Sequence, residues 1–467
     1  MIPQRLSWLL EPDGVPMQLA RLFNEAGHRL YLVGGSMRDA LLDRPHFDLD
    51  FTTDARPDQI KEAVAGWADG VFTIGEAFGT IGVVKDGHTH EVTTFRSEVY
   101  RNESRKPHVV FSDDLEIDLS RRDFTVNSIA VQLPDPEVID PYGGLEDLNA
   151  GVLRTPLAPE ISFSDDPLRM LRLFRFMATL GFDPDPVTLA AVVGMADRLA
   201  IVSAERIRDE FSKLLVAPQP GSALRGMVRT GLAAHIIPEL AELEMAQDPI
   251  HRHKDVLAHT IAVVDKTEPK LELRLAALLH DIGKPATRQI SDSGAAFHHH
   301  EVVGARIARQ RLRELRYPKH IIADVSQLVF LHLRPHTFKM GWTDSAVRRY
   351  VRDAGHLLGD LNQLVRCDVT TRNRERAQEI QDHIDDLEER ITSLREKEHL
   401  ESLRPPIDGN EVMAYLGIPP GPRIGEVLDL LTEQRIEQGP YERAEAYRLV
   451  REWALDQGME DPGGRTQ

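Results

Sequence analysis

A chain of 467 residues is too long for a single hydrophobic core and implies three or four domains. Its 42% hydrophobic and 28% charged residues are those of a soluble globular protein, and no apolar run approaches the roughly 20 residues that cross a bilayer. The net charge of −18 excludes nucleic-acid binding by bulk charge, although arginines cluster locally in "RSEVYRNESRKPH", "SRRDF", "RMLRLFRF" and "RIARQRLRELRYPKH".

The N-terminal "MIPQRLSWLLEPDG" has no basic stretch leading into a long apolar one, so no secretory signal is read and a cytoplasmic location is expected. The one cysteine, Cys367, excludes an internal disulfide framework and suits a reducing compartment. Its apolar helical setting predicts a buried, inert thiol. "PMQLARLFNEAGH" predicts a first helix ending at a glycine. Strand-type segments follow: "LYLVGG", "DLDFTT", "GVFTI", "GTIGVVKDG" and "HEVTTFR", with a helix, "PDQIKEAVAGW", between the second and third. Asp86-Gly87 predicts a hairpin turn. These elements make a mixed α/β domain over residues 1–150.

From "SDDPLRMLRLFRFMATLG" onward the pattern is helical nearly throughout. "SAERIRDEFSKLLVAP" carries a serine cap and stops before Pro218. "GSALRGMVRTGLAAHIIPEL" predicts a helical pair. Most histidines fall at about 251–375, and the tail has a charged helix, "REKEHLESLRPP", and a Pro/Gly-rich joint, "LGIPPGPRIGEVLDLL".

The chemistry begins in "LYLVGGSMRDALLDRPHFDLDF". In a strand, residues i and i+2 point the same way, so Asp48 and Asp50 share a face and Leu49 takes the other. Carboxylates that close repel unless a cation neutralises them, and hard oxygen ligands beside phosphate are the Mg²⁺ pattern. Gly34 and Gly35 allow close backbone approach, so that N–H groups and the Ser36 hydroxyl can meet a triphosphate at the start of a helix. Arg38 adds a fixed cation.

This stretch resembles the opening motif of class II tRNA nucleotidyltransferases, the CCA-adding enzymes, shared with bacterial poly(A) polymerases within the polymerase-beta superfamily. The likeness continues in order through "HEVTTFRSEVY", "SRKPHVVF", "LSRRDFTVNSIAV", "DPYGGLEDL", "DDPLRMLRLFRF" and "ERIRDEF", covering at least residues 30–215. The usual valine of "GGxVRD" is Met37 here. The resemblance implies a polymerase-beta-like palm, catalytic Asp48 and Asp50 holding Mg²⁺, and nucleotide contacts from Gly35, Ser36, Arg38 and Arg122, with Asn127 on the ribose side. Glu91 is open between a third catalytic carboxylate and a structural acid. Residues 96–110 read as a mobile loop. By resemblance this loop lets one pocket switch from CTP to ATP, and its presence favours complete CCA addition over addition of CC alone.

Asp166, Arg169, Arg172 and Arg175 recur at spacings of three, which on a helix places the arginines over an arc of roughly 120° with Asp166 next to them. By resemblance this is the protein template "EDxxR", and all four residues contact nucleotide. Cytosine and adenine each present an exocyclic amine beside an unprotonated ring nitrogen. A carboxylate accepting from the amine and a guanidinium donating to the ring select them, whereas uracil and guanine reverse both bonds. Asp165 stands where the family has Glu.

A second constellation lies in "KDVLAHTIAVVD", "LAALLHDIGKPATR", "FHHHEVVGARIA", "LVFLHLRPH" and "LVRCDVTTR". His259, the pair His280-Asp281, and Asp368 resemble the ligand set of HD-domain phosphohydrolases, and His300 and His332 fall where bimetallic members have further ligands. Among His298, His299 and His300, the last is chosen because "HEVVGA" resembles "HExxGA". Imidazole with carboxylate suits Mn, Fe, Ni, Co or Zn. Phosphatase or 2′,3′-cyclic phosphodiesterase work on RNA ends is implied.

The expected fold is therefore α+β: a nucleotidyltransferase domain over 1–150, a helical neck and body over 151–250, an HD domain over 251–375, and a helical tail over 376–467 that helps bind tRNA. Expected partners are tRNA lacking all or part of its CCA, CTP and ATP, with no membrane and no stable protein partner. A bacterial poly(A) polymerase, and an HD phosphohydrolase with a degenerate N-terminal RNA-binding module, are the alternatives. The first is disfavoured by "IGEAFGTIGVV", which lacks the basic pair of poly(A) polymerases, and the second by the intact Asp48/Asp50 and Asp166/Arg169.

Overall fold

The computed structural model describes residues 4–44, 48–99, 108–244, 255–291, 294–369, 374–398 and 404–462. The chain forms two compact units, Met1–Glu242 with Glu314–Tyr317, and Leu243–Arg313 with Pro318–Gln467. The heart of the proposed switching loop, residues 100–107, and residues 399–403 of "REKEHLESLRPP" lie outside the described residues.

In the first unit, helix α1 (Val15–Glu25) leads to β1 (Leu30–Val33), which is apolar and buried at every position, as a strand covered on both faces must be. Then come α2 (Gly34–Leu41), β2 (Asp50–Thr53), α3 (Pro57–Ala63), β3 (Gly70–Phe72), β4 (Thr80–Lys85) and β5 (His88–Thr94). A separate hairpin pairs β6 (Arg96–Val99) with β7 (His108–Phe111), and α4 (Leu115–Ser120), β8 (Ala130–Leu133), β9 (Val138–Ile139) and α5 (Gly144–Ala150) complete the layer. The sheet runs β3-β4-β5-β2-β1-β8-β9 and is antiparallel except at β2–β5. The Asp86-Gly87 turn forms as expected: both residues have positive φ, 53° and 80°, which is what a two-residue loop needs to match the strand twist.

The helix expected from Asp166 onward is broken. The structure has α6 (Pro159–Asp165) and α7 (Leu168–Leu180), with Asp166 extended between them at φ −141°, ψ 98°. The cause is Pro167, whose ring disfavours the helical region for the residue before it. Arg169, Arg172 and Arg175 stay on α7, while Asp166 stands ahead of it. Three more helices follow: α8 (Pro186–Met195), α9 (Ala204–Leu215) and α10 (Pro220–Arg229). The Ser203 hydroxyl caps α9 at the Arg206 N–H.

Among the described residues the second unit is helical apart from one short hairpin, Arg288–Ser291 with Gly294–Phe297, which the sequence pattern did not suggest. Its long helix, Arg374–Glu398, precedes a terminal bundle of Gly409–Leu416, Pro422–Gln438 and Arg443–Asp456, closed over Val412, Val427, Leu431, Val450 and Ala454. Arg348 joins these parts. Its guanidinium is bidentate on Glu398 at 2.8 and 2.9 Å and donates to the Ile436 carbonyl at 2.9 Å, near the negative end of the Pro422–Gln438 helix. Cys367 is half-buried rather than buried; its thiol donates to the Lys266 carbonyl, and burial pushes its pKa up, which keeps it unreactive.

Close packing leaves no room for a side chain at Gly144. A Cβ on Gly144 would stand 2.2 Å from the Thr125 carbonyl oxygen and 2.7 Å from Ile129 Cγ1, whereas one on Gly194 would meet nothing within 4 Å. Gly144→Ala should lower stability by about 1–3 kcal/mol, read as a lower urea midpoint at unchanged m-value. Gly194→Ala, within α8, should hold or raise it.

Candidate functional site

The parallel pairing of β2 with β5 sets Asp50 directly beside Glu91. The strand itself begins at Asp50, so Asp48 lies just ahead of it, yet the ladder runs one residue further because the Glu91 N–H donates to the Leu49 carbonyl at 2.9 Å. Leu49 is buried and Asp48 exposed, the alternation expected. The Thr89 N–H donates to Asp48 Oδ1 at 3.3 Å. Burial and the neighbouring Asp50 push the Glu91 carboxyl above its ordinary range. Glu91 thus joins Asp50 at this strand end, with Asp48 just ahead of it.

The turn beneath them is built for close approach. Gly34 has φ +74°, and a Cβ there would stand 3.0 Å from Arg122 Nη1 and 3.3 Å from Asp50 Oδ2. At Gly35 the same test finds only ordinary contacts, 3.6 Å to Arg38 Nη2 and 3.8 Å to Asp50 Oδ2, so Gly34, with its positive φ and tighter contacts, is the position where glycine matters. Ser36 is buried, and its hydroxyl accepts the Asp50 N–H at 2.8 Å and donates to the Asp48 carbonyl at 3.4 Å. The expectation gave this hydroxyl to a triphosphate; the structure commits it to the backbone of the two aspartates.

The arginines expected to face nucleotide form a buried relay with acids that the sequence reading did not assign. Arg38 donates to Asn127 Oδ1 at 2.7 Å and to both oxygens of Asp39. Asn127 donates to Asp123 Oδ1 at 2.8 Å, and Arg172 grips Asp123 Oδ2 through Nε at 2.9 Å. Glu210 on α9 then pairs with Arg172 at 3.2 Å and Arg175 at 2.9 Å. The guanidiniums of Arg38, Arg172 and Arg175 lie 5.1, 5.5 and 4.2 Å from the centre of the Phe176 ring. Burial opposes the charge on Asp123, but Arg172 and Asn127 hold its carboxyl far below the usual range. Burial and the adjacent Arg172 bring Arg175 down to about 10. Asp166 accepts from Arg206 at 2.7 Å and from the Leu168 N–H at 3.1 Å, and Arg169 is buried with Nη1 on Ser162 Oγ at 2.9 Å and Nη2 on the Arg121 carbonyl.

In the second unit all six expected ligands converge. They fall into two triplets, His259, His280 and Asp368, and Asp281, His300 and His332, each with its ligand atoms within 4.8 Å of one another. Asp281 spans them: Oδ2 lies 3.5 Å from His259 and 3.3 Å from His280, and Oδ1 lies 3.4 Å from His300. His280, His300 and His332 each set Nδ1 against the backbone carbonyl three residues earlier, at 2.8, 2.9 and 2.6 Å, which turns Nε2 inward as a ligand. His332 Nε2 is buried without a hydrogen-bond partner, and burial with the neighbouring His280 lowers its pKa to about 3, leaving a neutral donor atom aimed at the cluster. This donor set fits divalent metal. Among the three adjacent histidines, His300 is buried while His298 and His299 are exposed. A Cβ on Gly283 would lie 2.3 Å from the His300 carbonyl and 2.7 Å from the Gly304 N, so this glycine lets the two ligand segments touch. Two further side chains were missed: Lys284, 2.6 Å from Asp281 Oδ2, and His336, 3.4 Å from Asp368 Oδ2. Their signals were the lysine of "HDIGK" and the second histidine of "HLRPH".

Known proteins resemble this chain along nearly its whole length. Residues 30–154 match the poly A polymerase head domain, 181–244 the probable RNA and SrmB-binding site of polymerase A, and 255–389 the HD domain. The A-adding tRNA nucleotidyltransferase of Deinococcus radiodurans is 34% identical over 91% of this chain and 95% of its own. The chain belongs to the tRNA nucleotidyltransferase family. The CCA-adding enzyme of Geobacillus sp. strain WCH70 is 29% identical over 96% of this chain and 98% of that one. The structure of the Bacillus stearothermophilus CCA-adding enzyme in complex with CTP covers 98% of this chain and 99% of its own at 25% identity, with a TM-score of 0.69. As a member of this family the chain carries a nucleotidyltransferase head of mixed sheet and helices, an HD domain after it, and, among the described residues, no helix long and apolar enough to cross a membrane.

Because Asp281 serves both triplets, Asp281→Ala should empty both. Metal per chain by plasma mass spectrometry should fall to background in the variant while circular dichroism stays native in shape. Full metal retention would contradict the bridging role.

Proposed function

We propose that this nucleotidyltransferase adds or repairs the 3′-terminal CCA of tRNA from CTP and ATP without a nucleic-acid template, releasing pyrophosphate. The observation that carries the reading is the meeting of Asp50, Glu91 and Arg122 over a glycine of positive φ, where a Cβ would crowd both Arg122 and Asp50. Asp48 and Asp50, with Glu91 beside them, would hold Mg²⁺, which when bound supplies the charge to neutralise the triphosphate and to activate the tRNA 3′-hydroxyl. The chain's own residues do the rest. Arg122 lies within reach of phosphate at the start of α2, and Ser36 holds the acidic strand in place. Asp166 and Arg169 choose the base by their acceptor and donor pattern, which cytosine and adenine match and uracil and guanine reverse. The buried relay from Arg38 to Arg175 keeps α7 fixed against the head, so that Arg172 and Arg175 support the pocket wall.

A second reading of the same site is addition of the terminal A alone, favoured by the likeness to the A-adding relative, of which the chain covers 95%. Labelled CTP and ATP supplied with tRNA ending at the discriminator base separate the two. Stepwise C, CC and CCA products are expected. No C incorporation, with full A addition to tRNA ending in CC, would establish the A-adding reading instead. Long runs of A would point to a poly(A) polymerase.

At the HD centre, His259, His280, Asp281, His300, His332 and Asp368 would hold a transition metal of the Mn, Fe, Ni, Co or Zn group, and the reaction class is hydrolysis of phosphate at RNA ends, either a 3′-phosphate or a 2′,3′-cyclic phosphate.

Asp48→Asn and Asp50→Asn should each reduce C and A addition to background, since both steps use the same acids; near-native turnover in either would contradict this. Asp166→Ala and Arg169→Ala should raise UTP use relative to CTP by about tenfold or more, because a hydrogen-bonding pocket owes discrimination of about 10⁴-fold to its polar pattern. An unchanged UTP-to-CTP ratio in both variants would remove this pair from base selection.

A further inference from the structure

Asp118 belongs to none of the residue sets above, and its side chain on α4 is wholly inaccessible to solvent. A buried carboxylate is costly unless charged partners and hydrogen bonds compensate it, so its partners are informative. The Arg121 Nε at 3.1 Å and the Arg96 backbone N–H at 3.4 Å donate to Oδ1. The Thr52 hydroxyl at 3.2 Å and Arg122 Nη2 at 3.3 Å donate to Oδ2. Although burial opposes ionisation, Arg121 and Arg122 keep this carboxyl below its ordinary range.

These donors come from functionally separate places. Thr52 follows Asp50 by two residues on β2. Arg96 is the first residue of β6, at the root of the β6–β7 hairpin. Arg122 is the guanidinium whose Nη1 crowds Gly34 alongside Asp50. Arg121 binds Asp118 by its side chain while its carbonyl receives Arg169. One carboxylate therefore touches the acidic strand, the hairpin root, the phosphate-side arginine and the carrier of the base-side arginine.

We propose that Asp118 is a positioning residue of the nucleotide pocket: it fixes Arg122 over Gly34 and Asp50 and ties that arginine to the hairpin root and, through Arg121, to Arg169. The inference rests on the reading of Arg122 as a nucleotide contact. An apolar residue would fill the same space, but it would remove the acceptor that both guanidiniums share.

The test uses the full-length chain with tRNA, CTP and ATP. Asp118→Asn keeps the size, removes the charge and replaces one acceptor with a donor. The KM for both nucleotides should rise about tenfold or more, the loss expected for a charged hydrogen bond, with kcat within about threefold. The double variant Asp118→Asn/Arg122→Ala should be no worse than Arg122→Ala alone. Additive effects in the double variant, or an unchanged KM in Asp118→Asn beside an impaired Arg122→Ala, would overturn the proposal while leaving Arg122 as a contact. An unchanged KM in Arg122→Ala would overturn the reading of Arg122, and the proposal with it. If Asp118→Asn does not fold, Asp118→Glu keeps the charge but displaces it; a raised KM at near-native melting temperature is expected, and an unchanged KM would overturn the proposal.

Discussion

Like charges that must sit together are the constraint on which the first unit depends. Asp50 and Glu91 stand side by side at the end of the β2–β5 pair with Asp48 just ahead of them, and the repulsion among acids placed together has to be met by cations. The protein supplies Arg122 at Gly34, then alternates acids and bases outward: Asp118 behind Arg122, and Arg38, Asn127, Asp123, Arg172, Glu210 and Arg175 in sequence along α2, α7 and α9. Charged groups paired in this way hold one another in place. On α7 Arg169 is buried and Arg172 and Arg175 half-buried under these partners, while its apolar side packs in the core.

The second unit answers the same constraint differently. Burial opposes a proton on His280, yet Asp281 and Asp368 outweigh it and raise the imidazole to about 10, a sign of how strongly these carboxylates call for positive charge. The imidazoles are aimed by backbone carbonyls, and Gly283 brings the two ligand segments into contact. Asp281 stands in one triplet with His300 and reaches His259 and His280 of the other, so one carboxylate links the two ligand groups.

Much of this was legible in the residues because local chemistry was strong. Asp86-Gly87 could hardly be anything but a primed turn, Ser203 had the spacing of a cap, and the acid pair with its glycine turn and the ordered histidines were read with the help of family resemblance. The break at Asp166 was also written in "DDP", but the three-residue spacing of the arginines suggested an unbroken helix and masked the proline rule. Arg172 and Arg175 were read as nucleotide contacts by resemblance to the family template, and the sequence offered no acid partners for them. Only the fold brings Asp123 and Glu210 to cover them. Asp118 carries no local signature: one of the two aspartates in "LEIDLSRRDF" becomes a hub only when β2, β6 and α4 meet.

The central claim is that the chain carries two metal centres with different donor chemistry, one for nucleotidyl transfer and one for hydrolysis. Anomalous scattering from crystals grown with Mn²⁺ and a non-hydrolysable CTP analogue tests it most directly. The account predicts Mn²⁺ among Asp48, Asp50 and the triphosphate, with the cytosine edge at Asp166 and Arg169, and separate Mn²⁺ peaks within the His259–Asp368 cluster. A nucleotide bound away from Asp48 and Asp50, or a histidine cluster without metal at saturating Mn²⁺, would contradict it.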